Sequence, residues 1–224
     1  MKRAIELKNV NKVFGKGKKQ VNALTDINFH VNPGELVAVI GPSGSGKSTF
    51  LKVIAGLLEP TSGSVIIDDQ DLKNVAAKDL VKLRFDKLGF ILQQSNLVPF
   101  LKVAEQFKLI EKNDRSKKDP DYRQKLAELL DIEKLMNSYP KDLSGGERQR
   151  VAISTALYHK PEIILADEPT ASLDSDRAFE VAVLLARLAE QEKTGIVMVT
   201  HDERLLKYCH RVCRIEDGQL TEVV

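Results

Sequence analysis

The succession of apolar segments predicts an α/β fold on a largely parallel sheet, and three observations carry that reading. Residues 36–40, 163–166 and 196–199 are uninterrupted apolar runs, the pattern of strands covered on both faces. Helical periodicity follows two of them. Phe50, Ile54, Leu57 and Leu58 share one helical face after the first run, and after the second Asp174 or Ser175 caps a helix that turns Phe179, Val183 and Ala186 inward. The 224 residues carry no internal repeat and no low-complexity tract, so a single domain is expected over 1–224.

In chain order, strands are expected at 5–10, 26–31, 36–40, 64–67, 88–92, 162–166, 196–200 and 212–215. The first two flank Gly15-Lys16-Gly17-Lys18-Lys19 and read as an antiparallel hairpin leaning on the core, its three lysines in a solvated turn. From about 98 to 157 no segment alternates and the chain reads as helical. Within it, 111–123 is mostly charged, contains Pro120 and is expected to be an exposed connection. The resulting division is a core with an antiparallel β subdomain at 1–92 and 158–224, and an inserted α-helical subdomain at 93–157.

Composition excludes several classes. With 42% hydrophobic and 29% charged residues the chain is an ordinary globular one, not a disordered one. Lys and Arg total 34 against 32 Asp and Glu, a formal charge of +2, which gives no broad electrostatic footprint for nucleic acid. Cys209 and Cys213 cannot build a disulfide framework and suit a reducing compartment. The start, Met1-Lys2-Arg3-Ala4-Ile5-Glu6, lacks the apolar core of a signal peptide, and apolar runs such as 181–186 are too short to span a bilayer. A soluble, cytoplasmic chain is expected.

Three motifs carry chemistry. Gly41-Pro42-Ser43-Gly44-Ser45-Gly46-Lys47-Ser48, followed by Thr49, is G-x-x-x-x-G-K-[ST] between a strand and a helix, the setting of a phosphate-binding loop. Its glycines let backbone N–H groups turn inward as an anion nest, and the following helix adds its positive end. Lys47 is expected to reach the β- and γ-phosphates and Ser48 to bind Mg²⁺. The run 163–166 then ends in Asp167 and Glu168. Asp167 is placed to hold Mg²⁺ directly or through water, and Glu168, one residue farther, to polarise an attacking water as general base.

A third motif is Leu143-Ser144-Gly145-Gly146-Glu147-Arg148-Gln149-Arg150. Ser144 and Glu147 form a capping box, so a helix is expected to start here with its N–H groups at a glycine-flanked end, a second anion site. This octet resembles the signature of the ATP-binding-cassette (ABC) ATPases, and the resemblance covers essentially the whole chain. It implies a P-loop NTPase core of ABC type that hydrolyses ATP with Mg²⁺. It also implies two copies packed head to tail, each signature closing over ATP held by its partner's loop. Ser144 would then donate to a γ-phosphate oxygen, with Gly145 and Gly146 permitting close approach.

The same resemblance assigns Gln93, with Gln94 adjacent, to the Q-loop that contacts Mg²⁺ and the attacking water. Ala171-Ser172-Leu173-Asp174 looks like the loop that crosses to the partner, and His201 matches the switch histidine at the γ-phosphate. Phe14 stands where the family stacks an aromatic ring on adenine, or packs in the core. The segments at 5–10 and 167–174 are similar to those of the exporter branch that includes lipoprotein-release and macrolide-export ATPases; cell-division relatives share much of the pattern. The wording of 96–106 is similar to haem-efflux ATPases of Gram-positive bacteria, which implies a separate integral-membrane permease and a place on the cytoplasmic face of the membrane. Leu97, Val98 and Phe100 line an apolar groove for that permease or belong to the helical core. DNA-acting relatives carry a long coiled coil between loop and signature that has no counterpart here. Cys209, His210 and Cys213 make a poor metal site without a fourth ligand, and the thiols are expected to be small buried hydrophobes.

Overall fold

Helix α1 (Lys47–Ile54) is clasped between two sheets. The structure, a computed structural model, describes residues 3–113 and 118–223. One sheet has four antiparallel strands in the order β2 (Val21–Val31), β1 (Ile5–Phe14), β4 (Ser62–Ile67), β5 (Gln70–Asp71). The other has six, ordered β10 (Gln219–Glu222), β9 (Arg211–Glu216), β3 (Leu36–Ile40), β8 (Gly195–Val199), β7 (Ile163–Asp167), β6 (Leu88–Ile91). All pairs in it are parallel except β9 with the edge strand β10.

Alternation explains why both faces are dry. Val37, Val39, Val197, Val199, Ile163 and Leu165 face α1 and the antiparallel sheet. Leu36, Ile164, Ala166, Ile196 and Met198 face the opposite cluster, built with α5 (Gly145–Tyr158) and α6 (Ser175–Glu192). Phe50 of α1 meets Phe29 of β2 edge to face at 5.0 Å. Burying each such side chain contributes about 1.5–3 kcal/mol, so the centre of the sheet holds the loops at its strand ends firmly.

Several boundaries differ from the expectation. Strands β1 and β2 run past 10 and start before 26 because bulges interrupt their alternation. Asn9 and Asp26 take positive φ there, Asn9 Nδ2 donates to Asp26 Oδ1 at 2.9 Å, and Asp26 N donates to Asn11 Oδ1 at 2.9 Å. Helix α1 ends at Ile54, and Gly56 at φ +61° turns the chain. Leu57 and Leu58 therefore lie beyond the helix, with Leu57 60% exposed. The buried face of α6 is Ala178, Val181, Ala182, Leu184, Leu185 and Ala189, while Phe179, Val183 and Ala186 sit half-buried on its flank.

Between β6 and β7 stand α3 (Val103–Asn113), α4 (Pro120–Leu129) and α5. Of the segment expected as an exposed connection, 111–113 end α3 and 120–123 begin α4. Asp119 caps α4 by accepting from Tyr122 N at 2.9 Å, and Pro120 takes the first helical position, where its missing N–H costs nothing. Residues 114–117 lie outside the described residues. Sequence patterning missed α2 (Ala77–Lys87), which buries no side chain fully, and the short strands β5 and β10. Among the described residues no helix is long and apolar enough to cross a membrane.

Candidate functional site

The carboxyl ends of β3 and β7 open into a cleft of about 730 Å³. Its floor is the glycine loop after β3. Gly41 (φ +149°) has no room for a side chain, since a Cβ there would stand 2.0 Å from Ile215 O. At Gly46 (φ +111°) a Cβ would stand 2.5 Å from Ala23 O. Both glycines are therefore dictated by close backbone approach as well as by conformation. Gly46 N-caps α1 without a side-chain bond, so no side chain caps the helix's amino end. Lys47 curls over the loop and donates to Gly41 O at 2.7 Å and Pro42 O at 2.8 Å. Ser43, Gly44, Ser45, Ser48 and Thr49 complete the floor, and the buried hydroxyl of Ser45 has no hydrogen-bond partner among the described residues. Pro42 contributes its carbonyl to Lys47 rather than a surface to the cleft.

The wall comes from β7, β8 and the end of β6. Asp167 is half-buried; burial pushes its carboxyl above the usual range, and Lys47, then Lys52, oppose that. Glu168 follows at φ +49°, with its N–H on Val199 O at 3.0 Å. Its Oε2 lies 2.7 Å from His201 Nδ1 and 3.4 Å from His201 N. Gln93 lines this same cleft, whereas Gln94 lines a separate groove of about 640 Å³. The two glutamines thus face opposite ways.

The remaining candidates stand elsewhere. Ser144, Gly145, Gly146 and Asp174 do not line the cleft of their own chain. Ser144 Oγ accepts from Glu147 N at 3.2 Å and Glu147 Oε2 accepts from Ser144 N at 2.7 Å, a complete capping box whose hydrogen bonds hold the Glu147 carboxyl below its ordinary range. The glycines adjoin the 171–174 loop: a Cβ on Gly146 would lie 3.4 Å from Leu173 Cδ2. Asp174 caps α6, accepting from Arg177 N at 3.0 Å. Phe14 is 41% exposed with the Lys12 ammonium 5.2 Å above its ring. It is not part of the core, and its cross-strand partner Val21 lines the cleft.

Leu97 and Val98 line the second groove; Phe100, at 75% exposure, does not. Burial pushes the Cys209 thiol to about 12 and Cys213 to about 11, and no metal-binding cluster exists among the described residues.

Sequence reasoning missed two contributors. The turn between β9 and β10 brings Asp217 and Gly218 into the cleft, where Gly218 N donates to Ser45 O at 3.1 Å and Thr25 N donates to Gly218 O at 2.8 Å. The Asp-Gly pair was a legible hairpin signal, but its distance from the glycine loop in sequence hid the contact. Gln149 is the other: buried to 1% exposure, it donates to Leu92 O and Pro169 O.

The comparisons with known proteins agree with this arrangement. A putative hemin import ATP-binding protein of Staphylococcus haemolyticus is 43% identical over 219 residues, spanning 97% of this chain and 99% of that one. The corresponding protein of Staphylococcus aureus is 45% identical over 224 residues, spanning 98% and 100%. Among solved structures, the ATP-binding cassette MJ0796, described as a dimer in a post-hydrolysis state bound to ADP and Pi, superposes with a TM-score of 0.88 at 39% identity, over 98% of this chain and 97% of that one. The cbiO1 protein of Clostridium perfringens, part of an ABC transporter complex, superposes with a TM-score of 0.82 at 26% identity, over 99% and 88%. Residues 24–171, from β2 through the glycine loop to the acids of β7, match the family described as ABC transporter; with the phosphate loop, the β7 acids and the capped signature helix in one fold, this chain is an ATP-hydrolysing cassette of that family.

Proposed function

We propose that this cassette powers a haem transporter, working at the cytoplasmic face of a cell membrane with a second copy of itself and a separate integral-membrane permease. One observation carries the dimer. The phosphate loop, Asp167, Glu168 and His201 share one cleft, yet the capped amino end at Ser144-Gly145-Gly146 lies outside it. A glycine-flanked helix end that lies outside its own chain's phosphate cleft suits an anion brought by another copy. Head-to-tail packing supplies that anion twice, once per copy.

The residues fit Mg²⁺. Asp167 carboxylate, Ser48 hydroxyl and Gln93 amide oxygen are hard donors, and a single carboxylate suits an ion that takes its other ligands from phosphates and water. Bound there, Mg²⁺ would neutralise charge on the β- and γ-phosphates. The chain's own groups do the rest. Loop amides and Lys47 hold the phosphates, Glu168 accepts the proton of the attacking water, and His201 fixes the carboxylate's orientation through Nδ1. Ser144 of the second copy donates to the γ-phosphate from the far side.

The second groove, lined by Val81, Phe85, Gln94, Leu97 and Val98, supports a permease segment docked there. Haem as cargo rests on the names of the relatives and on the wording of 96–106. Those names say import; the exporter-like segments at 5–10 and 167–174 favour outward transport. The decisive experiment deletes the chain and reintroduces it as wild type or Lys47→Ala, then measures haem sensitivity and cell-associated haem. Sensitivity rescued by the wild type alone supports haem export. Reduced haem uptake reverses the direction, and normal haem handling removes haem as cargo.

A further inference from the structure

One side chain joins three parts of the site that lie far apart in sequence. Gln149 sits one turn into α5, behind the Ser144-Gly145-Gly146 end, and points into the core at 1% exposure. Its Nε2 donates to Leu92 O at 3.1 Å and to Pro169 O at 3.0 Å. A primary amide has two N–H donors, so both are used. Each acceptor lies just past a strand end, β6 and β7 respectively, where the sheet ladder has stopped.

What those carbonyls precede and follow matters more. Leu92 O belongs to the peptide plane that carries Gln93 N, so fixing it orients the residue that lines the cleft. Pro169 is the residue after Glu168, whose positive φ is a conformation surroundings must enforce. Glu168 is held upstream by its own N–H on Val199 O and downstream by the Gln149 bond to Pro169 O. Neighbouring Arg148 and Arg150 bond other carbonyls, at Leu143 and Leu130, so of the three only Gln149 bonds carbonyls that adjoin Gln93 and Glu168.

We infer that Gln149 is a positioning residue for hydrolysis, fixing Gln93 and Glu168 relative to the helix that carries the signature end. The inference rests on the roles given to Gln93 and Glu168 above. Loss of its donors shifts both groups by a fraction of an ångström to an ångström. Misplacement of that size costs on the order of 10- to 100-fold in rate and leaves the phosphate loop untouched.

The test uses Gln149→Met, which keeps the length and removes both donors, and Gln149→Glu, which keeps the shape. Single-turnover hydrolysis is measured per bound nucleotide, so that lost folded protein cancels, alongside ATP affinity and Glu168→Gln in parallel. The expected result is a rate per bound ATP reduced 10-fold or more with affinity within about threefold of wild type. A wild-type rate per bound ATP in either variant overturns the inference. Loss of binding and turnover together in both variants also overturns it, because that is how a core hydrogen bond behaves. If Glu168→Gln itself hydrolyses ATP at the wild-type rate, the underlying site assignment fails first and is identified separately.

Discussion

The carboxylate of Glu168 and the imidazole of His201 form one hydrogen-bonded unit, Oε2 to Nδ1 at 2.7 Å. The imidazole tautomer with its hydrogen on Nδ1 donates to this oxygen. The pair is asymmetric in burial: the Glu168 side chain is 15% exposed and that of His201 71%. Removing His201 therefore loosens Glu168 more than it disturbs the core. His201→Ala is expected to lower kcat at least 10-fold with a small change in ATP affinity, and the double variant with Glu168→Gln to be little worse than Glu168→Gln alone. Full additivity in steady-state assays would separate the two residues.

Glu168→Gln keeps the size of the side chain and removes its basicity. Turnover is expected to fall by about 10²- to 10⁴-fold, the contribution usual for a general base, while ATP still binds. Size-exclusion chromatography with ATP should then show an ATP-stabilised dimer. A variant that remains monomeric at saturating ATP contradicts the shared-site arrangement.

Gly46→Ala tests the loop's backbone. The new Cβ would stand 2.5 Å from Ala23 O at a φ of +111°, so both sterics and conformation oppose it. A destabilisation of about 1–3 kcal/mol is expected together with loss of nucleotide binding, read by thermal melting and by a fluorescent ATP analogue.

Asp167 couples function against stability. Its carboxyl is raised because burial penalises the charged form. A raised acid makes the folded state bind its proton more tightly than the unfolded state does. Its charge therefore costs stability in full above the folded pKa; the cost fades as pH falls below that value and is gone below the unfolded one. Asp167→Asn is expected to melt higher than wild type at neutral pH, with the gap closing toward acid, and to lose Mg²⁺-dependent turnover. An equal melting gap at all pH values would refute the burial argument.

The two thiols are inert by the same physics. With both pushed far above neutral pH by burial, little thiolate is present to react. Cys209→Ala is expected to leave ATPase activity unchanged, and mass spectrometry to find Cys213 unmodified after brief alkylation of the folded chain.

The parallel strands were legible because burial on both faces writes them as plain apolar runs, as at Leu36–Ile40. The glycine loop, the β7 acids and the Ser144 capping box were legible because each is local. What escaped was non-local or half-buried. Bulges at Asn9 and Asp26 break the alternation of β1 and β2, and α2 hides no full face. The Gly218–Ser45 and Gln149–Pro169 contacts join segments that only the folded sheet brings together. The resemblance assigns Gln93 with Gln94 adjacent; that the two neighbours line different grooves is visible only in the fold.

The separation of the Ser144 end from its own cleft has an arithmetic consequence for mixtures. In a head-to-tail pair every site borrows one part from each copy. A chain crippled at Lys47 and another crippled at Gly145 are each expected to be inert alone. Paired with one another, they assemble one site with two damaged parts and one with none. If two copies share their sites in this way, activity is expected to return on mixing two dead proteins, and its amount to report how many intact sites a working transporter requires.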